Sequence, residues 1–184
     1  MRRIATDAVR GDDLHETPEI VTLALVNAER HYMPGHLWEP ACGRGAIVRV
    51  LRDEGYLVAA TDKIDRGFPS MVRADFLKIT VPPFRHTKRG IVTNPPYKIA
   101  DAFVQNALRL SDYTAMLLPL AYLEGIERRG WLPESPLARV HVFSYRVPMM
   151  HRDGYEGKKA RNTRAFAWFV WDRAWNEEPV IRWL

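Results

Sequence analysis

Cysteine is almost missing from this chain: Cys42 stands alone among 184 residues. One thiol excludes an internal disulfide and a cysteine-built zinc site, and it fits a reducing, cytoplasmic setting. Six histidines are present, none in paired ligand spacing, so no metal site is expected. No apolar run approaches the roughly 18 residues of a membrane span, so no membrane partner is expected. The start, Met1-Arg2-Arg3-Ile4-Ala5-Thr6-Asp7, lacks the apolar core of a secretory signal, and none is expected. Internal repeats and low-complexity tracts are lacking too. The remainder is ordinary globular chain, 47% hydrophobic, of a length that suits a single domain over residues 1–184, with 1–16 irregular.

The formal net charge is +5. A mild basic excess fits a polyanionic partner, and many proteins of other function share it. Its placement says more. Cations gather at Arg85-His86-Thr87-Lys88-Arg89, at Arg128-Arg129, and between Arg152 and Arg164. The first two runs read equally well as solvated faces. The third falls in residues 147–164, long for a hairpin loop, and mixes Arg152, Lys158, Lys159, Arg161 and Arg164 with Tyr155. Cation and aromatic together suit phosphate and base contacts, so these six are the candidate substrate-binding residues of that loop.

Hydrophobic patterning alternates between strand and helix. Thr17-Pro18-Glu19 predicts a helix start, with Thr17 at the N-cap and Pro18 at the first position, running to about Arg30. Strands are expected at 36–40, 56–62, 72–77, 90–93, 115–118, 140–145 and 165–171, with helices over 46–54, 99–110 and 125–131. The tail from Trp175 is expected to close the sheet edge. This is an α/β chain with a mostly parallel sheet, helices on both faces and a C-terminal antiparallel hairpin.

Two loops carry chemistry. The first strand runs into Glu39-Pro40-Ala41-Cys42-Gly43-Arg44-Gly45 and then a helix. Glycine is needed where backbone approaches a ligand closely or φ is positive, and the helix start offers unpaired N–H groups. The third glycine of the dinucleotide fingerprint is missing, which argues against NAD. Asp62 ends the next strand about 20 residues on, where an acid can accept bonds from ribose hydroxyls; alone it would read as a turn aspartate. The second loop is Asn94-Pro95-Pro96-Tyr97, after the buried run Ile91-Val92-Thr93. Two prolines cannot continue a central strand, so the chain must turn out at Asn94. An amide, a proline carbonyl and a tyrosine ring then meet at the carboxyl edge of the sheet, where ligands bind.

These loops together resemble the S-adenosylmethionine-dependent amino-methyltransferases of DNA and RNA. The resemblance spans about residues 14–175. Cofactor loop first and tetrapeptide second is similar to the gamma order of DNA adenine-N6 methyltransferases, and to short stand-alone methylases of phages and prophages. It implies a Rossmann-like class I fold of seven strands with the last antiparallel. It implies S-adenosyl-L-methionine held by Glu39, Pro40, Ala41, Cys42, Gly43, Gly45 and Asp62. Thr17-Pro18 would lie at the methionine end, or be a helix start and nothing more. Asp75 would take the adenine amine of the cofactor, with Phe76 beside that ring or in the core. Asn94 would border the cofactor as well as the substrate.

Asn94, Pro95, Pro96 and Tyr97 are then the expected catalytic residues, acting on an exocyclic adenine amine. Such an amine is a poor nucleophile because its lone pair spreads into the ring. The Asn94 oxygen and the Pro95 carbonyl can each accept one of its N–H bonds, and the proline pair fixes their direction. Tyr97 can stack on a base taken out of the duplex. DNA is the expected partner. RNA adenine, a protein glutamine amide, and a non-catalytic accessory role are the alternatives. Sequence-specific DNA enzymes carry a sizeable target-recognition region that this chain has no room for. Broad specificity or a partner that supplies recognition is therefore expected.

Overall fold

Successive residues of each central strand face opposite sides of one sheet, and that alternation builds two cores. The computed structural model describes residues 16–84, 88–147 and 164–184. Its strands are β1 (His36–Glu39), β2 (Leu57–Asp62), β3 (Val72–Arg73), β4 (Gly90–Thr93), β5 (Tyr113–Pro119), β6 (Leu137–Val142), β7 (Phe166–Asp172) and β8 (Val180–Trp183). They lie in the order β3-β2-β1-β4-β5-β7-β6-β8. β7 is antiparallel to both its neighbours, β5 and β6, while every other pairing is parallel.

Helices α1 (Glu19–Glu29) and α2 (Ala46–Asp53) cover one face, and α3 (Ala100–Leu110) covers the other. Leu37, Val92, Leu117 and Trp168 pack with Val21, Leu25 and Val48 on the first side. Trp38, Ile91, Met116 and Phe169 pack with Phe103, Val104 and Ala107 on the second. Strands buried on both faces are what a parallel α/β sheet requires, and they explain why β4 and β5 read as continuous apolar runs.

Four differences from the sequence reading have physical causes. The sheet has eight strands where seven are expected: the tail pairs with β6 as a parallel edge strand, Val140 opposite Ile181. Its alternating, half-exposed pattern is that of an edge. The expected helix over 125–131 is a series of turns. Gly125 opens it at φ 123°, outside the helical region, and Pro133 follows. β3 is two residues long, and the chain leaves it for a 3-10 turn, Phe76–Lys78, whose Leu77 N–H the Asp75 side chain caps. Finally, α1 starts at Glu19 with Pro18 in the cap position and no side-chain cap bond, so Thr17 lies one residue before the cap it was expected to form.

Candidate active site

The carboxyl ends of β1, β2, β4 and β5 open on one edge, and the two chemical loops meet there. After β1 the backbone turns tightly: the Cys42 N–H donates to the Thr61 carbonyl at 3.0 Å and the Gly45 N–H to the Cys42 carbonyl at 2.7 Å. Gly43 and Gly45 have φ of 54° and 83°, where a side chain is strained. A Cβ on Gly45 would also sit 2.2 Å from the Phe68 ring, so the loop tolerates no side chain there.

Asp62 braces this loop from β2. Its Oδ2 accepts the Gly43 N–H at 2.8 Å and its Oδ1 accepts the Ile64 N–H at 2.9 Å. Each carboxylate oxygen keeps a second lone-pair direction. Asp62 thus combines a loop-bracing role, which the sequence reading missed, with room for a further donor. Asp75 is half-buried, caps Leu77 at 3.3 Å and pairs with the exposed Lys63 ammonium at 3.4 Å. Phe76 is 2% exposed and packs between Trp38 and Phe103 with ring centroids 5.1 and 4.8 Å away, a core placement.

Glu39 is 1% exposed. Its Oε1 accepts the Ala41 N–H at 3.2 Å, while its Oε2 has no hydrogen-bond partner among the described residues. Burial pushes its pKa up to about 8, against the pull of that N–H and of Thr93, and the Asp62 charge adds to the rise. Burial together with these two carboxylates also lifts the Cys42 thiol to about 12, so Cys42 is an inert thiol at neutral pH. A buried carboxyl oxygen with no hydrogen-bond partner within bonding distance among the described residues, beside a loop where Gly45 leaves no room for a Cβ, suits a cationic, donor-rich ligand. These residues fit the amino-acid end of S-adenosylmethionine.

From β4 the chain leaves at Asn94, as its prolines require. The Asn94 Nδ2–H donates to Thr17 Oγ1 at 3.1 Å, across 77 positions of sequence. Pro95 is buried, and Asn94, Pro96 and Tyr97 are half-buried. The Tyr97 ring lies 5.5 Å from Phe166, tilted by 44°. Phe166 opens β7 opposite Pro119 of β5. Sequence reasoning missed it. Its signal is an aromatic at the first position of a strand that follows the basic loop.

Where β5 ends and just before β7 begins is an open cleft of about 740 Å³, lined by residues that include Leu120, Leu123, Glu124, Arg164 and Ala165. Of the candidate phosphate contacts, Arg164 lines the cleft; Arg152, Tyr155, Lys158, Lys159 and Arg161 fall outside the described residues. Arg44, Lys63 and Lys98 are exposed on the loops that follow β1, β2 and β4. The Arg128-Arg129 pair divides: Arg128 is tied to Asp101 at 3.3 Å and stacks over Tyr122 at 4.5 Å, leaving Arg129 exposed.

No protein-family model matches the chain, and no curated protein sequence does. Solved structures do. A Pyrococcus horikoshii protein described as a candidate RNA methyltransferase superposes with a TM-score of 0.63 at 12% identity, over 86% of this chain and 87% of that one. The methyltransferase subunit of a Streptococcus thermophilus type I restriction-modification system gives 0.57 at 15% identity, over 92% of this chain and 48% of its own. A dimethyladenosine transferase from Plasmodium falciparum gives 0.52 at 14%, over 85% and 62%. The fold is that of the Rossmann-like class I methyltransferases. At these identities the likeness is one of fold. Among the described residues no helix is long and apolar enough to cross a membrane.

Proposed function

We propose that this protein transfers a methyl group to the N6 amine of adenine in DNA, using S-adenosyl-L-methionine. The observation that carries this is the meeting, on one sheet edge, of Asn94 held by Thr17, the Tyr97–Phe166 ring pair, and a glycine loop backed by Glu39.

Glu39, Gly43, Gly45 and Asp62 would hold the cofactor, with Asp75 and Thr17-Pro18 at its two ends. When bound, it supplies an electrophilic methyl group on a sulfonium. The protein's part is to make a poor nucleophile adequate. Asn94 Oδ1 and the Pro95 carbonyl each accept one N–H of the amine. That draws the nitrogen toward tetrahedral geometry and localises its lone pair. The same oxygens stabilise positive charge as it develops on nitrogen, so they act mainly in the chemical step. Neither oxygen is basic enough to keep a proton, so the alkylated nitrogen sheds its extra proton to water. Tyr97 stacks on the extruded base with Phe166 behind it. Arg164, with Arg152, Lys158, Lys159, Arg161 and Tyr155 of the same loop, contacts the phosphates and neighbouring bases.

The fold neighbours include a protein described as a candidate RNA methyltransferase as well as a type I restriction-modification methyltransferase subunit, so the polymer is the first thing to test. The protein is incubated with methyl-labelled cofactor and DNA, RNA or a release factor, followed by digestion and identification of the modified unit. N6-methyladenine in DNA is expected. Label confined to RNA, or to a glutamine amide, would replace this reading. Cofactor binding with no product on any substrate would favour an accessory role. Recognition of a target sequence is assigned to a partner or to broad specificity; adding host extract to the assay distinguishes the two.

A further inference from the structure

We propose that the free edge of β8 is an interface at which two copies of this chain join their sheets by antiparallel pairing. Among the described residues β8 has a strand on one side only, β6. Leu184 turns both backbone groups toward that neighbour: its N–H donates to the Val142 carbonyl at 2.9 Å, and its carbonyl accepts the Ser144 N–H at 3.2 Å. Backbone direction alternates along a strand, so Arg182 and Val180 also face inward, and Ile181 and Trp183 turn their N–H and C=O groups out. That row of groups is a template for a further strand.

Open edges are usually blunted by charged side chains. This one carries apolar ones instead. Ile181 and Trp183 are 53% and 72% exposed. They stand opposite Val140 and Val142 of β6, on the face that α3 covers further in. The core ends before it reaches them, and an apolar strip is left beside the free backbone. Pro179, two positions earlier, is exposed as well.

Charge decides what fits this edge. A two-fold axis pairs β8 with itself. Outward-facing residues must then meet outward-facing residues, so the axis passes through Val180, Ile181 or Arg182. At Arg182 it sets two guanidinium groups against each other, which is unfavourable. At Ile181 it sets Arg182 opposite an aliphatic Val180. At Val180 it sets Glu178 of each copy opposite Arg182 of the other, twice over. Neither of these side chains has an ion-pair partner among the described residues. The same register brings the Ile181 N–H to the carbonyl of Pro179, the one residue there with no N–H to offer. Ile181 then packs on Pro179 of the other copy, with Trp183 beside it.

β8 runs parallel to β6, and β6 and β5 both run against β7, so β8 points the same way as β4 and β5. Antiparallel pairing therefore turns the two proposed catalytic edges in opposite directions. A four-residue strand makes a small interface, so a Kd of about 1–100 µM is expected.

The test is sedimentation equilibrium of the full chain from about 1 µM to about 300 µM, a range that brackets such a Kd. A monomer–dimer equilibrium is expected. Ile181→Lys should abolish it with Tm unchanged, because the side chain is exposed. Arg182→Glu and Glu178→Arg should each raise Kd by at least about 10-fold by setting like charges opposite, and the double swap should return it to within about threefold of wild type. A chain monomeric throughout the range, a dimer that survives Ile181→Lys, or a double swap that fails to restore association would each overturn the pairing. None of these outcomes bears on the reaction proposed above, which the identity of the labelled product decides.

Discussion

Two glutamates of this protein are equally buried and behave in opposite ways. Glu29, at the end of α1, and Glu39, at the end of β1, are 0% and 1% exposed. Burial alone would raise both pKa values. For Glu29 that rise is outweighed by the His141 and Arg139 hydrogen bonds and charges, and its pKa falls below 4.5. The Nε2 of His141 is 2.6 Å from its Oε1, and the Tyr113 hydroxyl donates to its Oε2 at 3.0 Å. Arg139 binds it with two nitrogens, pairs in turn with Asp172 at 3.0 Å, and is flanked by Tyr32 and Trp175 at 4.1 and 5.0 Å. Glu39 has the Thr93 hydroxyl and the Ala41 N–H to draw its pKa down, and no cation among the described residues. The same group is a finished tie at the base of the sheet and lacks a cation at the edge proposed to be catalytic. The difference lies in whether the protein brings the cation itself.

The largest expected effect is on the finished tie. Glu29→Ala leaves Arg139 buried with part of its charge uncompensated and should cost about 3–5 kcal/mol of stability, read by denaturant unfolding. A cost below about 1 kcal/mol would show that the network is not the anchor of α1. At the proposed catalytic edge the order reverses, with folding kept and function lost. Asn94→Ala should reduce turnover by about 10²–10³-fold with little change in Tm or cofactor affinity, the range seen when one preorganised polar partner of a transition state is removed. Full activity in that variant would reject the amine-holding mechanism.

Asp62→Ala tests both roles of that residue, because it braces Gly43 and Ile64 and is proposed to hold the cofactor. It should weaken cofactor binding by about 1.5–3 kcal/mol in calorimetry, the scale of hydrogen bonds to a charged group. Unchanged affinity would reduce Asp62 to a loop brace.

The last effect is one of pH, shallow per unit, and its sign separates the two glutamates. Glu29 has a depressed folded pKa, so its contribution is full above about pH 4.5 and is lost as pH falls below that. Glu39 keeps its proton in the folded chain to about pH 8, whereas the unfolded chain releases it near 4.5. Between those values the folded state holds the extra proton, so stability falls as pH rises, by at most about 1.4 kcal/mol per pH unit. Glu39→Gln should flatten that limb and leave the acid limb unchanged. A cationic ligand group at Oε2 would ionise Glu39, so cofactor binding at pH 7 should release a proton. Calorimetry in buffers of different ionisation enthalpy reads this directly; no proton release would place the cofactor's cation elsewhere.

Much of the architecture was legible because burial on both faces writes long apolar runs into β4 and β5, and because Gly43, Gly45 and the proline pair leave the backbone few options. Asn94 could be named as a strand terminus for the same reason. Phe166 could not be tied to Tyr97, since nothing local says that β7 enters between β5 and β6 and runs against them. The turns at 125–131 were misread because the segment lies between Gly125, whose φ of 123° is outside the helical region, and Pro133, and no residue pattern within it says so. β8 was read as a covering tail because an edge strand with one solvated face carries a weak pattern.

The sequence by itself determined the alternation of strand and helix, the two loops and the side chains that could do chemistry there, because backbone sterics and hydrophobic period act over a few residues. The tertiary structure alone decided that Thr17 would grip Asn94, that Glu29 would find Arg139 across 110 positions while Glu39 found no cation, and that eight strands would share the sheet. Those outcomes depend on which distant groups packing brings within a hydrogen bond of each other, and no local rule encodes that distance.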